Sequence, residues 1–293
     1  MSRTNKPRQV RRQVRLEAQR RQVCALAEAA EVHRSKAAYR PAAALLRRAL
    51  SIAVKAHGRD DLVVATLMNN LAVVHKYQGR FAEASRLYRR ALPLLERALG
   101  PDHPELAAVY HNLGGLEHAR GRHARGEPFA RRAVVIREKA LGPDHPDVAA
   151  DVAALAAILD GQRKHDEAEL LYRRALAVFE RVYGPEHYEV AVNLNNLAAL
   201  RHAKGDAAQA ERLYRRALSM KEKLLGPDHP DVAMTLNNLA VLCKAQGQRV
   251  EAAALYQRAL AIFERALGKR HLKVTTCRSN YHRLLGETAS VEA

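Results

Sequence analysis

The sequence predicts an all-α protein, an α-solenoid in which antiparallel helix pairs stack one on the next. Three observations carry that expectation. Glycines recur at Gly58, Gly100, Gly142, Gly184, Gly226 and Gly268, each 42 residues after the last. The intervals hold two stretches with apolar residues at helical spacing, separated by a small break. The 293 residues contain no Trp and only 5% aromatic residues, with Ala, Leu and Arg prominent, a composition unsuited to a β-sandwich or barrel.

The elements follow in order. Residues 1–16 read as a basic, unstructured tail. The first 21 residues hold eight basic side chains against Glu17, a net of +7 out of the chain's +18. No apolar h-region follows, so this is not the pattern of a secretory signal. Residues 17–58 form a degenerate first repeat, because Ala30, Ala42, Leu46 and Ala49 fall in register with Ala72, Ala84, Tyr88 and Ala91. Regular repeats occupy 59–100, 101–142, 143–184, 185–226 and 227–268.

The unit 185–226 shows their logic. Leu194, Leu197, Ala198 and Arg201 mark one face of a first helix, Gly205-Asp206 breaks it, and Ala210, Leu213, Tyr214, Ala217 and Leu218 mark a second. The alanines let helix backbones approach, and Tyr214 fills the gap between them. Gly79, Gly121, Gly205 and Gly247 make the turn inside a pair. Gly100 and its equivalents close the second helix, where a positive φ is needed. Pro104, Pro146 and Pro230 suit the first position of the next helix, with Glu105, Asp147 and Asp231 at its positive end. Residues 269–286 read as a capping helix that covers the last apolar face, and 287–293 as an unstructured tail.

The same sequence argues against several chemistries. It has no run of about 18 apolar residues. Cys24, Cys243 and Cys277 form no paired framework and read as reduced thiols of a cytoplasmic protein. It has no Gly-rich phosphate loop or nucleophile elbow, and His165-Asp166-Glu167 is not a zinc motif. His103, His145 and His229 recur once per repeat, a spacing that suits capping and turn roles better than convergence on one ion. The expectation is a non-catalytic protein without a cofactor.

Function then has to reside on a face. Within a first helix, Met68, Leu71, Ala72 and His75 share the packing side, and the complementary phase points to a concave groove. Across the repeats that phase collects Asn69, Asn70, His111, Asn112, Asn195, Asn196, Asn237, Asn238 and Asn280, interrupted at Ala153-Ala154. One stretch later come Lys76, His118, Asp160, His202 and Lys244. A carboxamide both donates to and accepts from a peptide backbone, so such a row suits an extended segment of a partner protein. The flanking Lys and His favour acidic residues in it. The same Asn residues can instead hold neighbouring helices together.

A second periodic feature is Arg89-Arg90, Arg131-Arg132, Arg173-Arg174 and Arg215-Arg216, a stripe on the second helices. It reads as a solvated face with i,i+4 ion pairs. The alternative is a surface that, with the basic tail, meets nucleic acid or another anionic partner.

The motifs Leu194–Ala198, Leu236–Ala240 and Leu-Gly-Pro-Asp-His-Pro resemble the tetratricopeptide family, in the 42-residue version of kinesin light chains, over roughly residues 58–285. The resemblance implies a peptide-binding groove built by Asn of the first helices. Two departures stand out. The family's first-helix Tyr is replaced by His75, Glu117, Leu159, Arg201 and Cys243. Its second-helix Pro is replaced by Glu96, Glu138, Glu180, Glu222 and Glu264, so the second helix can run on to the glycine. The motor light-chain role in that family uses a long heptad coiled coil ahead of the repeats, whereas a short helical stretch is expected here.

Overall fold

The computed structural model describes the backbone over residues 6–289 and side chains over residues 13–286. Among the described residues there are thirteen helices and no strand. They are α1 (Lys6–Ser35), α2 (Tyr39–His57), α3 (Leu62–Tyr77), α4 (Phe81–Leu99), α5 (Pro104–Ala119), α6 (His123–Leu141) and α7 (Pro146–Gly161). Then follow α8 (His165–Tyr183), α9 (Tyr188–Ala203), α10 (Ala207–Leu225), α11 (Pro230–Ala245), α12 (Arg249–Leu267) and α13 (Leu272–Ala289). The chain is an α-solenoid of helix pairs. It divides into two compact units, Met1–Val109 and Tyr110–Ala293.

The repeat is metrically regular. First helices α3, α5, α7, α9 and α11 have 16 residues each, and second helices α4, α6, α8, α10 and α12 have 19. The glycine after each second helix sets that limit. Gly100 stands at φ +87 with its N–H on the Glu96 carbonyl, and its equivalents repeat the geometry. The turn inside a pair also needs a left-handed residue. Glycine supplies it at 79, 121, 205 and 247, but Ala37 and Arg163 occupy the same slot at φ 56 and 62.

First helices start on a histidine cap. The Nδ1 atoms of His145, His187 and His229 accept from the backbone N–H two residues on at 3.1, 3.3 and 3.1 Å. Asp61 does the same for α3 at 2.8 Å. An accepting Nδ1 leaves the proton on Nε2.

Both ends differ from the sequence expectation. The first helix begins at Lys6, inside the segment 1–16 expected to be unstructured. From Arg8 to Ser35 the chain has neither Gly nor Pro, and Arg, Gln, Leu, Glu and Ala are good helix formers. The last helix runs to Ala289, past the expected end at 286. Residues 1–5 and 290–293, the remainder of the two expected tails, lie outside the described residues.

In the first unit the core is built from Ala42, Ala49, Ala84 and Ala91, all fully buried, with Tyr88 between helices. In the second unit Tyr172, Tyr214 and Tyr256 fill the equivalent space at 2% exposure or less. Each such ring contributes on the order of 2–3 kcal/mol on burial. The repeat 101–142 replaces that Tyr with Ala130 and two alanines with Gly114 and Gly126. Its helices close up accordingly, so that a Cβ on Gly126 would lie 3.0 Å from the Gly114 carbonyl oxygen.

Candidate functional site

In the first unit, α1, α3, Leu95 of α4 and the start of α5 line an open cavity of about 530 Å³. Its walls are aliphatic, supplied by Val23, Ala27, Leu62, Val63, Leu67, Leu95 and Val109. Val63 remains 38% exposed at its mouth. Cys24, Thr66, Asn69, Asn70 and Glu105 add the polar groups. Asn70 is exposed, whereas Asn69 is buried and donates to it at 3.3 Å. Lys76 stands with its ammonium 5.2 Å from the Tyr77 ring centre.

In the second unit the corresponding face is polar. Asn237 Nδ2 donates to Asn238 Oδ1 at 3.4 Å, Asn238 Nδ2 to Asn195 Oδ1 at 3.5 Å, and Asn195 Nδ2 to Asn196 Oδ1 at 3.4 Å. This is a head-to-tail row of carboxamides joining α9 to α11. Its bonds are long, and therefore easy to exchange for others. Asn196, Asn237, Asn238 and Asn280 are half-buried, though the Oδ1 of Asn237 is itself buried without a partner.

Asn195 is not reachable. Like Asn69, it is buried, at 6% and 9% exposure respectively. The expectation that the first Asn of each pair faces an open groove is corrected for these two. A single 100° step along the helix turns that position toward the neighbouring repeat, so it carries the row rather than displaying it.

His111 and Asn112 are half-buried, as are His118, His202 and Lys244. His111 is engaged, its Nδ1 lying 2.7 Å from Asp151 Oδ1. The His118 ring packs on His123 at 5.0 Å between centroids. At the interruption, Ala153 packs against the core.

The arginine stripe is largely occupied by carboxylates. Arg131 binds Glu127 and Glu167, each at 2.8 Å, and Arg215 binds Glu211 and Glu251 at 2.9 and 2.8 Å. Arg173 pairs with Glu169, Arg174 with Glu138 and Arg216 with Glu180. The first Arg of a pair thus reaches its own helix or the following repeat, and the second reaches the preceding repeat. In the first unit Arg89 and Arg90 are exposed, and Arg89 Nε reaches the Ser85 carbonyl at 3.4 Å. Arg132 is half-buried.

Sequence reasoning missed a column of residues beneath the Asn row. Aligned at 42 residues it reads Leu67, Val109, Asp151, Asn193, Thr235 and Cys277, all buried. Asp151 accepts from Arg137 Nε at 2.6 Å as well as meeting His111. Asn193 Nδ2 donates to the Tyr172 carbonyl at 2.8 Å, while its Oδ1 is buried without a partner. Thr235 accepts from Lys221 at 3.0 Å. Burial drives the Lys221 ammonium down to about 8, with Asp231 opposing and Lys273 reinforcing that shift. The change from aliphatic to polar along this column was the available signal.

Repeated helix pairs with a built face and no other elaboration among the described residues define a repeat scaffold of the kind that binds other proteins. The chain belongs to the tetratricopeptide repeat family. That family's model matches over residues 21–97, 63–125, 105–181, 150–223, 189–265 and 231–288.

Solved structures agree. BtubC (BKLC) from P. vanneervenii is 28% identical over 84% of this chain and 91% of its own, with a TM-score of 0.54. A kinesin-light-chain candidate of Podosopora anserina, with nearly identical repeats, is 25% identical over 69% of this chain and 96% of its own, with a TM-score of 0.51. No curated protein matches the chain. No helix among the described residues is long and apolar enough to cross a membrane.

Proposed function

We propose that this protein is an adaptor that holds an extended segment of a partner protein against the first-helix faces, with the Asn row of the second unit as its main-chain reader. The carrying observation is the carboxamide row from Asn237 to Asn196, half-buried at three of its four members and held by bonds of 3.4–3.5 Å. A peptide backbone placed there exchanges weak amide–amide bonds for equivalent ones, without selecting a side chain. His202 and Lys244, one stretch further along the same helices, favour acid residues in the segment.

In the first unit, the aliphatic cavity supports a different contact, with an apolar side chain of the partner. The ion pairing of the arginine stripe favours a structural role for it over an anionic-partner surface. Cytoplasmic residence accords with three cysteines that form no disulfide.

Replacing Asn196 and Asn238 together with Leu tests the assignment. Partner capture from a lysate, compared with wild type by mass spectrometry, is expected to fall at least tenfold while helicity is unchanged. Capture at the wild-type level removes the groove assignment.

A further inference from the structure

The arginines of the second-helix stripe are largely paired with carboxylates, but those at the start of the first helix are not. The α1 helix has 30 residues and its hairpin partner α2 has 19, joined through residues 36–38. The first eleven residues of α1, 6–16, therefore extend past the end of α2. Exposure agrees with that length. Among the described side chains Gln13, Val14 and Arg15 are exposed, Leu16 is the first half-buried one and Val23 the first buried one.

This stretch holds Lys6, Arg8, Arg11, Arg12 and Arg15 and no acid, over roughly 16 Å of helix. No acid stands in the first turn, so the positive end of the helix dipole adds to the field instead of being offset. Arg20 and Arg21 follow, against Glu17 alone. Arg21 and Glu17 are 3.9 Å apart at 82% and 67% exposure, a pair that water screens. Arg15 and Arg20 have no hydrogen bond or ion pair among the described residues. Cations held in line on one rod repel each other unless a polyanion runs beside them.

The residue types narrow the polyanion. No aromatic residue precedes Tyr39, so neither stacking on single-stranded bases nor an aromatic anchor in a protein interface is available. Val14 and Leu16 lie about 200° apart around the helix, which leaves no continuous apolar side to lie on a membrane. Arg is interleaved instead with Gln9, Gln13, Gln19 and Gln22. Arg and Gln make paired hydrogen bonds to guanine and adenine edges in the major groove of B-form DNA, which is wide enough to admit a helix. The deep, narrow major groove of duplex RNA is not.

We infer that the N-terminal half of α1 is a docking element for double-stranded DNA, with residues 6–16 in the major groove and Arg20 and Arg21 at the flanking phosphates. Nothing in this contact involves the Asn row, which belongs to the other unit.

The test measures binding of the full chain to a short labelled DNA duplex by fluorescence anisotropy over a range of salt. Affinity is expected to fall with a log–log salt slope of about −4 to −5, as five neutralised phosphates require. Combining Arg8→Ala, Arg11→Ala, Arg12→Ala and Arg15→Ala should weaken binding at least tenfold and flatten the slope by about 3 to 4. Helicity should be unchanged, because Ala is the strongest helix former. Arg47→Ala with Arg48→Ala removes two exposed α2 cations that have no ion pair among the described residues, and should change affinity less than about twofold.

A duplex RNA of the same sequence bound as tightly, a phosphatidylserine vesicle or polyglutamate bound more tightly than DNA, or an equal loss in the α2 control overturns the assignment. So does a wild type that does not bind DNA, or binding that the four α1 substitutions leave at the wild-type level.

Discussion

The two units use one helical hairpin to opposite ends. In Met1–Val109 the column beneath the Asn row is Leu67 and Val109, and the space before it is an aliphatic cavity. In Tyr110–Ala293 the same column is Asp151, Asn193 and Thr235, with Arg137 and Lys221 reaching into it. Charge divides differently as well. The first unit has 21 basic and 9 acidic residues, a net of +12, and the second has 28 and 22, a net of +6 over a longer chain. The difference shows that the repeat fixes backbone spacing and leaves the column beneath the first-helix Asn positions free to vary between apolar and ionic.

The largest expected effect comes from breaking the ionic floor. Asp151 is 1% exposed and Arg137 only 17%, so Asp151→Ala leaves Arg137 with the more exposed Asp147 at 3.5 Å as its remaining acid and should cost about 3 kcal/mol in urea unfolding. Replacing both residues by Leu makes this stretch resemble the first unit and should recover most of that loss. A double variant no more stable than the single one would show that the pair does more than neutralise itself.

The next effect concerns Lys221. Below about pH 8 its ammonium is charged in both folded and unfolded chains, and burial penalises the folded one. Between about 8 and 10.5 only the unfolded chain holds the proton, so stability rises with pH by about 3 kcal/mol over that window. Lys221→Met should be the more stable protein at pH 7 and should lack this rise. Stability curves of the two proteins against pH check it, and parallel curves would remove the buried-cation account. The first unit has Ala53 at this position and no such term.

Each unit contains one strained turn, and these give a smaller effect. Arg163→Gly and Ala37→Gly each relieve a left-handed residue and should raise stability by about 0.5–1 kcal/mol. Thermal melts decide whether the turns respond alike in the two units.

The smallest effect is on the surface of the second helices. Arg174→Ala removes a pair with Glu138 in which both side chains are more than a third exposed, and should cost less than about 1 kcal/mol. The loss should shrink further in 1 M salt. A salt-insensitive loss would mean that packing, not charge, joins these repeats.

Much of the fold was legible because local chemistry and period coincide. Gly100 and its equivalents, the Pro-Asp-His-Pro starts and the Ala/Tyr packing positions each act within one or two helices, so they show in the sequence. The candidate site was less legible. Asn195 and Asn196 are adjacent, yet one is buried and the other reachable, a distinction set by the neighbouring repeat. The i,i+4 ion pairs of the Arg stripe are legible in the sequence but the pairs that join repeats are not, because partners such as Glu167 and Glu138 lie 36 residues from Arg131 and Arg174. The helix over residues 6–16 was missed because charge density outweighed helix propensity in the reading of that segment.

By itself the sequence determined the repeat, its length, its turns and its family, since these depend on residue type at a fixed period. Tertiary structure alone decided which polar groups are spent on one another and which stay accessible. Desolvation is a property of the packed neighbourhood, and a lysine, aspartate or asparagine carries no mark of it in the chain.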